Sequence, residues 1–260
     1  MADPKLIPGK FVWFELLCND PKTAQNFYAE VLGWKTVAFP MGSATYEMIY
    51  AGDTMIGGYQ AAPSTSQPAH FRSYVSVDDV DASVQAALAH GGKLCEGPID
   101  TPGVGRRARI VDPQGAELSL IKRTADDPVD TRVAGHGRWV WNELHTTDPA
   151  QALLFYAAVV GFSHTSLDMG PGGTYHVLSK SGQGRGGVSG HLPCNTKPHW
   201  LPYVAVDDVD AAVARARTLG ATIQMNPQDI PGVGRISVLL DPTGAALAVM
   251  KPNPGENHPQ

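Results

Sequence analysis

The sequence predicts an α+β chain of four βαβββ modules in two tandem halves. Two observations carry this. The first is an internal repeat: Val12 to Trp34 (VWFELLCNDPKTAQNFYAEVLGW) returns as Val140 to Phe162 (VWNELHTTDPAQALLFYAAVVGF), which matches Trp13 with Trp141, Glu15 with Glu143, Asp20 with Asp148 and Tyr28 with Tyr156 at a constant offset of 128. Pro68 to Asp81 returns as Lys197 to Asp210, and PGVGR at Pro102 to Arg106 returns at Pro231 to Arg235, both offset by 129. One residue is therefore inserted between the first landmark and the second. The second observation is that each half itself runs twice through strand, aspartate cap, helical stripe, glycine stop and short strands. A repeat on this scale governs the fold.

Lys10 to Cys18 reads as a strand with Phe11, Trp13, Glu15 and Leu17 on one face and Val12, Phe14 and Leu16 on the other. Glu15 is thus a carboxylate in a mostly apolar strand. Asp20 caps a helix that opens on Pro21, shows an apolar stripe of Ala24, Phe27, Tyr28, Val31 and Leu32, and stops at Gly33. Short strands follow near Trp34 to Phe39, Thr45 to Tyr50 and Thr54 to Gln60, with Gly42, Gly52 and Gly57-Gly58 as turns and a bulge. After the loop Ala61 to Ala69 the order begins again. Strand Phe71 to Val77 leads to a cap at Asp78 or Asp79, a helix from Val80 to His90 and a stop at Gly91-Gly92. Strands near Lys93 to Glu96, Arg107 to Asp112 and Ala116 to Lys122 complete the half. The expected division is a first domain at 8–123, a linker at 124–137, a second domain at 138–252 and a frayed polar tail at 253–260. Each half is expected to curl into an open mixed sheet with helices outside. The halves should pack about a pseudo-twofold axis within a monomer, as a homodimer would.

Of the 260 residues 43% are hydrophobic and 17% charged, an ordinary globular balance. The net charge of −5 with no basic block argues against nucleic-acid or anionic-membrane partners and leaves a small molecule as the expected one. Cys18, Cys95 and Cys194 form no CxxC and no even framework. With no signal-peptide pattern and no apolar run near the roughly 20 residues of a spanning helix, a cytoplasmic location is expected.

NDPKTAQNFYAEVLGW, TDPAQALLFYAAVVGF, the two VDDVDA segments and the DPQG and DPTG turns resemble those of the vicinal oxygen chelate superfamily, which includes glyoxalase I, bleomycin-resistance proteins and extradiol dioxygenases. The whole chain is similar to tandem two-domain glyoxalase-like proteins of actinobacteria. The resemblance implies two glyoxalase/bleomycin-resistance-type domains, each with a pocket on the concave face of its sheet. It also implies where a metal would be held. Those slots contain Trp13, Arg72 and Ser119 in the first half and Trp141, Leu201 and Ala248 in the second. None of these sets supplies the nitrogen and oxygen ligands of a divalent cation, so no metal or other cofactor is expected. A set displaced along the strands, Glu143, His145 and His199, stays open.

Glu15 and Glu143 are the leading candidates for catalysis. Each shares a strand face with a tryptophan, and a carboxylate desolvated against indole suits general acid or base work. The alternative is that each pairs with an arginine such as Arg106 or Arg235 and only holds the pocket together. Trp13 and Trp141 offer flat walls to a ligand. Tyr74, Tyr203 and Tyr175 are placed to bind a carbonyl or simply to pack, and His70 and His199 share faces with the first two. Either Tyr175 or His176 faces the pocket, not both. Arg106 and Arg235, at the exits of the PGVGR turns, are candidates to meet an anionic group at the pocket mouth. His145, His176, His191 and His199 concentrate in the second half, which makes it the better candidate for the active site. No GxSxG occurs, the PGVG glycines precede no helix, and Cys18 reads as packing.

Three functions follow. One is an atypical, metal-independent glyoxalase-like lyase or isomerase acting on a small α-oxo compound, with Glu143 or Glu15 moving a proton, His145 nearby, and Tyr203 or Arg235 steadying the oxyanion. Another is a binder that sequesters an aromatic molecule or antibiotic, as bleomycin-resistance-type proteins do. The last is an interaction protein with two degenerate pockets.

Overall fold

The computed structural model describes residues 3–41, 44–62, 64, 67–131, 133–192 and 196–253. Gly42, Cys194, part of the 61–69 loop, one linker residue and the tail beyond 253 lie outside them. The first half runs β1 (Phe11–Cys18), α1 (Pro21–Leu32), β2 (Lys35–Met41), β3 (Ala44–Ala51), β4 (Thr54–Ala61), β5 (His70–Ser76), α2 (Val80–Ala89), β6 (Lys93–Thr101), β7 (Gly105–Val111) and β8 (Glu117–Arg123). The second repeats it as β9 (Trp139–His145), α3 (Pro149–Val160), β10 (Ser163–Asp168), β11 (Thr174–Lys180), β12 (Gln183–Ser189), β13 (His199–Ala205), α4 (Val209–Thr218), β14 (Thr222–Ile230), β15 (Gly234–Leu240) and β16 (Ala246–Pro252). Each half forms one eight-stranded mixed sheet, in the orders β2-β3-β4-β1-β5-β8-β7-β6 and β10-β11-β12-β9-β13-β16-β15-β14. Among the described residues no helix is long and apolar enough to cross a membrane.

The helix signals act as their chemistry dictates. Asp20 and Asp148 accept from the backbone N–H groups of Thr23 and Gln151, and Gly33 and Gly161 close their helices at φ of 67° and 80°. Of the two candidate caps for α2, Asp79 is the one used, and it accepts from Ala82 N.

One expectation, strict alternation along the first strand of each half, needs correction. A bulge between Phe11 and Trp13 shifts the register of β1 against β5, so Phe11 joins the face of Phe14 while Val12 joins Trp13 and Tyr74. Val140 takes the same place in β9. Strict alternation fails there because one extra residue resets the faces. Gly57-Gly58, expected among the turns and a bulge, lies in the middle of β4 beside Phe14 and Glu15 of β1, and the register of β4 with β3 shifts next to Gly57. The helices lie outside each sheet, as expected. They cover the face that points away from Glu15 and Glu143, and α1 meets α4, and α2 meets α3, across the seam between the halves.

That seam is one continuous core. Phe14 stacks on Trp139 with centroids 4.2 Å apart, Phe11 meets Trp200 at 5.2 Å, and Trp139 also touches Trp34 and Phe71. Polar tips in the core find partners in the other half or in the linker. Trp34 Nε1 donates to Gly137 O (2.7 Å), Trp139 Nε1 to Ile56 O (2.8 Å), Tyr28 Oη to Asp241 (3.0 Å) and Tyr156 Oη to Asp112 (3.0 Å). Asp112 and Asp241 open the DPQG and DPTG turns, and each also caps its own turn's N–H groups. The two most regular motifs in the sequence, FYxxVxG and DPxG, therefore meet crosswise and fasten the halves together. Asp241→Ala is expected to cost about 1–3 kcal/mol, because it leaves the fully buried Tyr28 hydroxyl unsatisfied. Urea denaturation checks this, and an unchanged midpoint would refute the clasp.

Candidate functional site

The face of each sheet that points away from the seam carries the charged chemistry. On the first half Glu15 is fully engaged. Tyr46 Oη donates to its Oε1 (2.8 Å), Tyr74 Oη donates to its Oε2 (2.7 Å), and Arg72 lies 3.5 Å away. Trp13 Nε1 donates to Tyr46 Oη (3.1 Å). From Arg72 an ionic ladder crosses the sheet. Arg72 meets Glu117 (3.0 Å), Glu117 meets Arg109 (2.7 Å), Arg109 meets Glu96 (3.5 Å) and Glu96 meets Arg107 (3.0 Å).

On the second half Trp141 Nε1 donates to Tyr175 Oη (2.8 Å), and Tyr175 and Tyr203 donate to Glu143 Oε2 at 2.9 and 3.3 Å. Burial first, and then the Glu143 charge, hold both phenols well above their usual pKa, so they remain donors. The other oxygen, Glu143 Oε1, lies 3.0 Å from His145 Nε2, out of line for a hydrogen bond. His145 Nδ1 is 2.7 Å from His191 O, and its ring stacks on His199 at 5.2 Å and 12°. Burial disfavours the charge on His145, but Glu143 and the His191 carbonyl outweigh it and raise its pKa above that of ordinary imidazole. Burial and the nearby His145 lower that of His199. The shifts are opposite, so of the two imidazoles His145 is the one that holds a proton more readily.

In both halves the tyrosine reaches its glutamate across a glycine. A Cβ on Gly58 would fall on the Tyr46 hydroxyl, and a Cβ on Gly187 on that of Tyr175. The paired glycines of β4 and β12 thus hold open the path of the tyrosine.

The sequence candidates divide as follows. Glu143, Tyr203, Tyr175, Trp141, His145 and His199 come together in the second half, and Glu15, Tyr74 and Trp13 in the first. Tyr175 takes the glutamate side of its strand, while His176 turns to Ser166 and His164. Trp141 is only 9% exposed and lies over Gly184, so it is less open a wall than expected; Trp13 is half-buried. Arg106 and Arg235 do not join either network. They pair instead with Asp81 and Asp100, and with Asp210 and Asp229, which lie in the first turn of the neighbouring helix and on the adjacent strand. Their turns exit beside helix N-termini, where acidic residues favoured by the helix dipole capture them. The arginine that does reach Glu15 is Arg72. Tyr203 spends its single O–H on Glu143 and has no second donor for an oxyanion. Cys18 is fully buried, which pushes its thiol up to about 11. A cleft of about 370 Å³, bordered by Pro149, Thr174, His176 and His191, lies on the His176 side of β11 and is separate from Glu143.

Arg72, Glu96, Arg109 and Glu117 were not recognised from sequence as one unit. The signal was available in the repeat. Their partners at offset 129 are Leu201, Met225, Val238 and Ala246, so four charges on one face become four apolar groups.

Residues 10–120 match the Glyoxalase/Bleomycin resistance protein/Dioxygenase superfamily, and residues 141–250 match a glyoxalase-like domain. A protein called putative glyoxylase CFP32, from Mycobacterium tuberculosis, is 36% identical over 93% of this chain and 94% of its own length. The chain belongs to the glyoxalase superfamily. Anthracycline biosynthesis protein DnrV of Streptomyces peucetius is 30% identical over 95% of this chain and 94% of its own. Among solved structures, the Mn(II)-bound glyoxalase of Novosphingobium aromaticivorans aligns with a TM-score of 0.65 at 18% identity, covering 94% of this chain and 82% of that one. The 2,2',3-trihydroxybiphenyl 1,2-dioxygenase of Sphingomonas wittichii aligns at 0.67 and 13% identity, covering 98% and 92%. At such identities the structures share the fold.

This glyoxalase-superfamily chain does not offer a divalent metal, such as the Mn(II) of the Novosphingobium glyoxalase, a fitting donor set. In register it is Tyr74, not the expected Arg72, that faces Trp13 and Ser119, and Tyr203, not the expected Leu201, that faces Trp141 and Ala248. Indole, phenol, hydroxyl and methyl groups are poor ligands for a divalent cation. Nor do Glu143, His145 and His199 converge. The two imidazoles lie face to face, and His145 Nδ1 and His199 Nδ1 are both directed at backbone carbonyls. Among the described residues no group of three or more His, Cys, Asp or Glu side chains is arranged to hold a metal ion.

Proposed function

We propose that the second half carries the working site and that Glu143 and His145 together move a proton on a small α-oxo compound, in a glyoxalase-like lyase or isomerase reaction that does not use the superfamily's metal. The observation that supports it is the 3.0 Å approach of His145 Nε2 to Glu143 Oε1, with Tyr175 and Tyr203 holding the other carboxylate oxygen. Two donors on Oε2 fix the orientation of the carboxylate and leave Oε1 to act as base. His145, with its raised pKa, keeps the proton that a developing oxyanion needs. In the proposed step Oε1 takes the proton from the carbon beside the carbonyl, and the electron pair moves to the carbonyl oxygen, which receives the His145 proton. The enol so formed is reprotonated on carbon by Glu143 while its O–H proton returns to His145, which exchanges the hydrogen. Where the reacting carbon carries a hydroxyl the intermediate is an enediol, Glu143 protonates the former carbonyl carbon, and the proton of the other hydroxyl passes to His145. The similarity to a putative glyoxylase over nearly the whole chain agrees with this reading.

A second reading is binding without turnover. The apolar surroundings of Glu143 and the similarity to an anthracycline biosynthesis protein favour it. The test is exchange of the methyl protons of 1-phenyl-1,2-propanedione in D2O, followed by NMR with protein dialysed against EDTA. The proposal expects exchange well above background, lost in Glu143→Gln and retained in Glu15→Gln. Background exchange alone would refute catalysis, and exchange that needs added metal would refute the metal-free route.

A further inference from the structure

The two halves present different surfaces at matching positions. On the first face, Glu15, Arg72, Glu117, Arg109, Glu96 and Arg107 alternate in sign and touch in that order, which leaves three acids neutralised by three arginines. The register confirms that they share one face: Glu15 lies opposite Arg72, Arg109 opposite Ser119, and Glu96 opposite Arg109. On the second face the same ladder reads Glu143, Leu201, Ala246, Val238, Met225 and Ile236. Met225 again lies opposite Val238, and Val238 opposite Ala248. Only the glutamate survives, and His145 replaces Leu17 beside it.

The physical consequences are opposite. The first face has its charges satisfied internally, and a ligand would have to break ion pairs to displace them. The second offers half-buried apolar side chains, Met225, Val238, Ala246 and Val177, packed around the Leu201, Tyr203 and Ile236 cluster. It has one carboxylate and two stacked imidazoles, His145 and His199, and His145 Nε2 is buried without an aligned hydrogen-bond partner. Such a surface gains by covering its hydrocarbon, and it penalises a charged guest, which would be desolvated with no partner in the wall.

We infer that the chain binds one small molecule, at the Glu143 face only, and that this molecule has an uncharged apolar body such as an aryl or alkyl group, with its carbonyl at Glu143 and His145. This rests on the proposed function for the role of the carbonyl, but the selection of an apolar, uncharged body rests on the wall alone. The wall residues Leu201, Met225, Val238 and Ala246 set that selectivity.

Calorimetric titration of the full chain with acetophenone, and separately with pyruvate, tests this. The expected result is one acetophenone per chain and at least about tenfold weaker binding of pyruvate. Val238→Arg, which installs the residue of the first half, should weaken acetophenone binding by about tenfold or more. Glu96→Met in the first half should leave it unchanged. Should Val238→Arg fail to fold, Met225→Glu on the outermost strand serves the same purpose. Two equivalents per chain, no acetophenone binding, a preference for pyruvate, or wall variants that bind like wild type would each overturn the inference. Acetophenone bound once, with no proton exchange in the diketone, retires the catalytic reading and upholds this one. Exchange in the diketone without acetophenone binding does the reverse.

Discussion

Asp130→Ala is expected to destabilise the protein by about 3–5 kcal/mol, the cost of removing the carboxylate that two buried cations share. Asp130 lies in the segment between the halves, yet it accepts from Lys10 Nζ at 2.8 Å and from both terminal nitrogens of Arg185 at 2.7 and 3.0 Å. The Lys10 and Arg185 side chains are only 2% and 3% exposed. One carboxylate thus joins the start of β1 to the middle of β12. Burial works against its charge, but the two cations prevail and hold its pKa below the usual carboxylate value. A depressed folded pKa means that the stabilisation is present at neutral pH and is lost as pH falls below about 4 and through the folded value. Urea denaturation at pH 7 is the check, with Asp130→Asn as the conservative variant. A loss below about 1 kcal/mol would show that the cluster is a loose surface pair.

Gly187→Ala is the second large effect. Gly187 lies opposite Glu143 in the register of β12 with β9, and its missing side chain is the space that the Tyr175 hydroxyl occupies. A methyl group there displaces the phenol, and Glu143 and Trp141 both lose their bond to it. Overpacking of this kind typically costs about 1–3 kcal/mol, and a displaced catalytic group about a hundredfold in rate. Gly58→Ala makes the same change at Tyr46 and should cost similar stability while leaving proton exchange intact. Thermal denaturation beside the exchange assay separates the two. Equal activity losses in both variants would place function in both halves.

Much of the fold was legible because repetition and capping are local. The 128-residue offset, the Asp20 and Asp148 caps and the Gly33 and Gly161 stops are all written in short stretches, and each formed as its chemistry requires. The bulge at Val12 and Val140 was not legible, since a one-residue register slip leaves no mark on an otherwise apolar strand. The candidate site was legible in part. Alternation puts Glu143 and His145 on one face, and Tyr203 and His199 on one face, but it leaves open whether Tyr175 or His176 joins them, which the hydrogen bond from Tyr175 to Glu143 decides. The partners of Arg106 and Arg235 could not be placed, because capture by Asp81 and Asp210 depends on how the turns sit against the helices. The ionic ladder was hidden for another reason: its members are dispersed over β1, β5, β6, β7 and β8, and only the sheet order makes them neighbours. Aligning the two halves face by face would have exposed it, since Arg72, Glu96, Arg109 and Glu117 all turn apolar together.

The coupled pair in the second half is tested most directly by NMR titration of the His145 imidazole in wild type and in Glu143→Gln. With Glu143 charged beside it, His145 should titrate above the ordinary value of about 6.5. With that charge removed, only the His191 carbonyl still opposes burial, and the midpoint should fall from its wild-type value. A His145 midpoint that is the same in both proteins would mean that the two groups do not share a proton equilibrium, and would contradict the acid–base site assigned to Glu143 and His145.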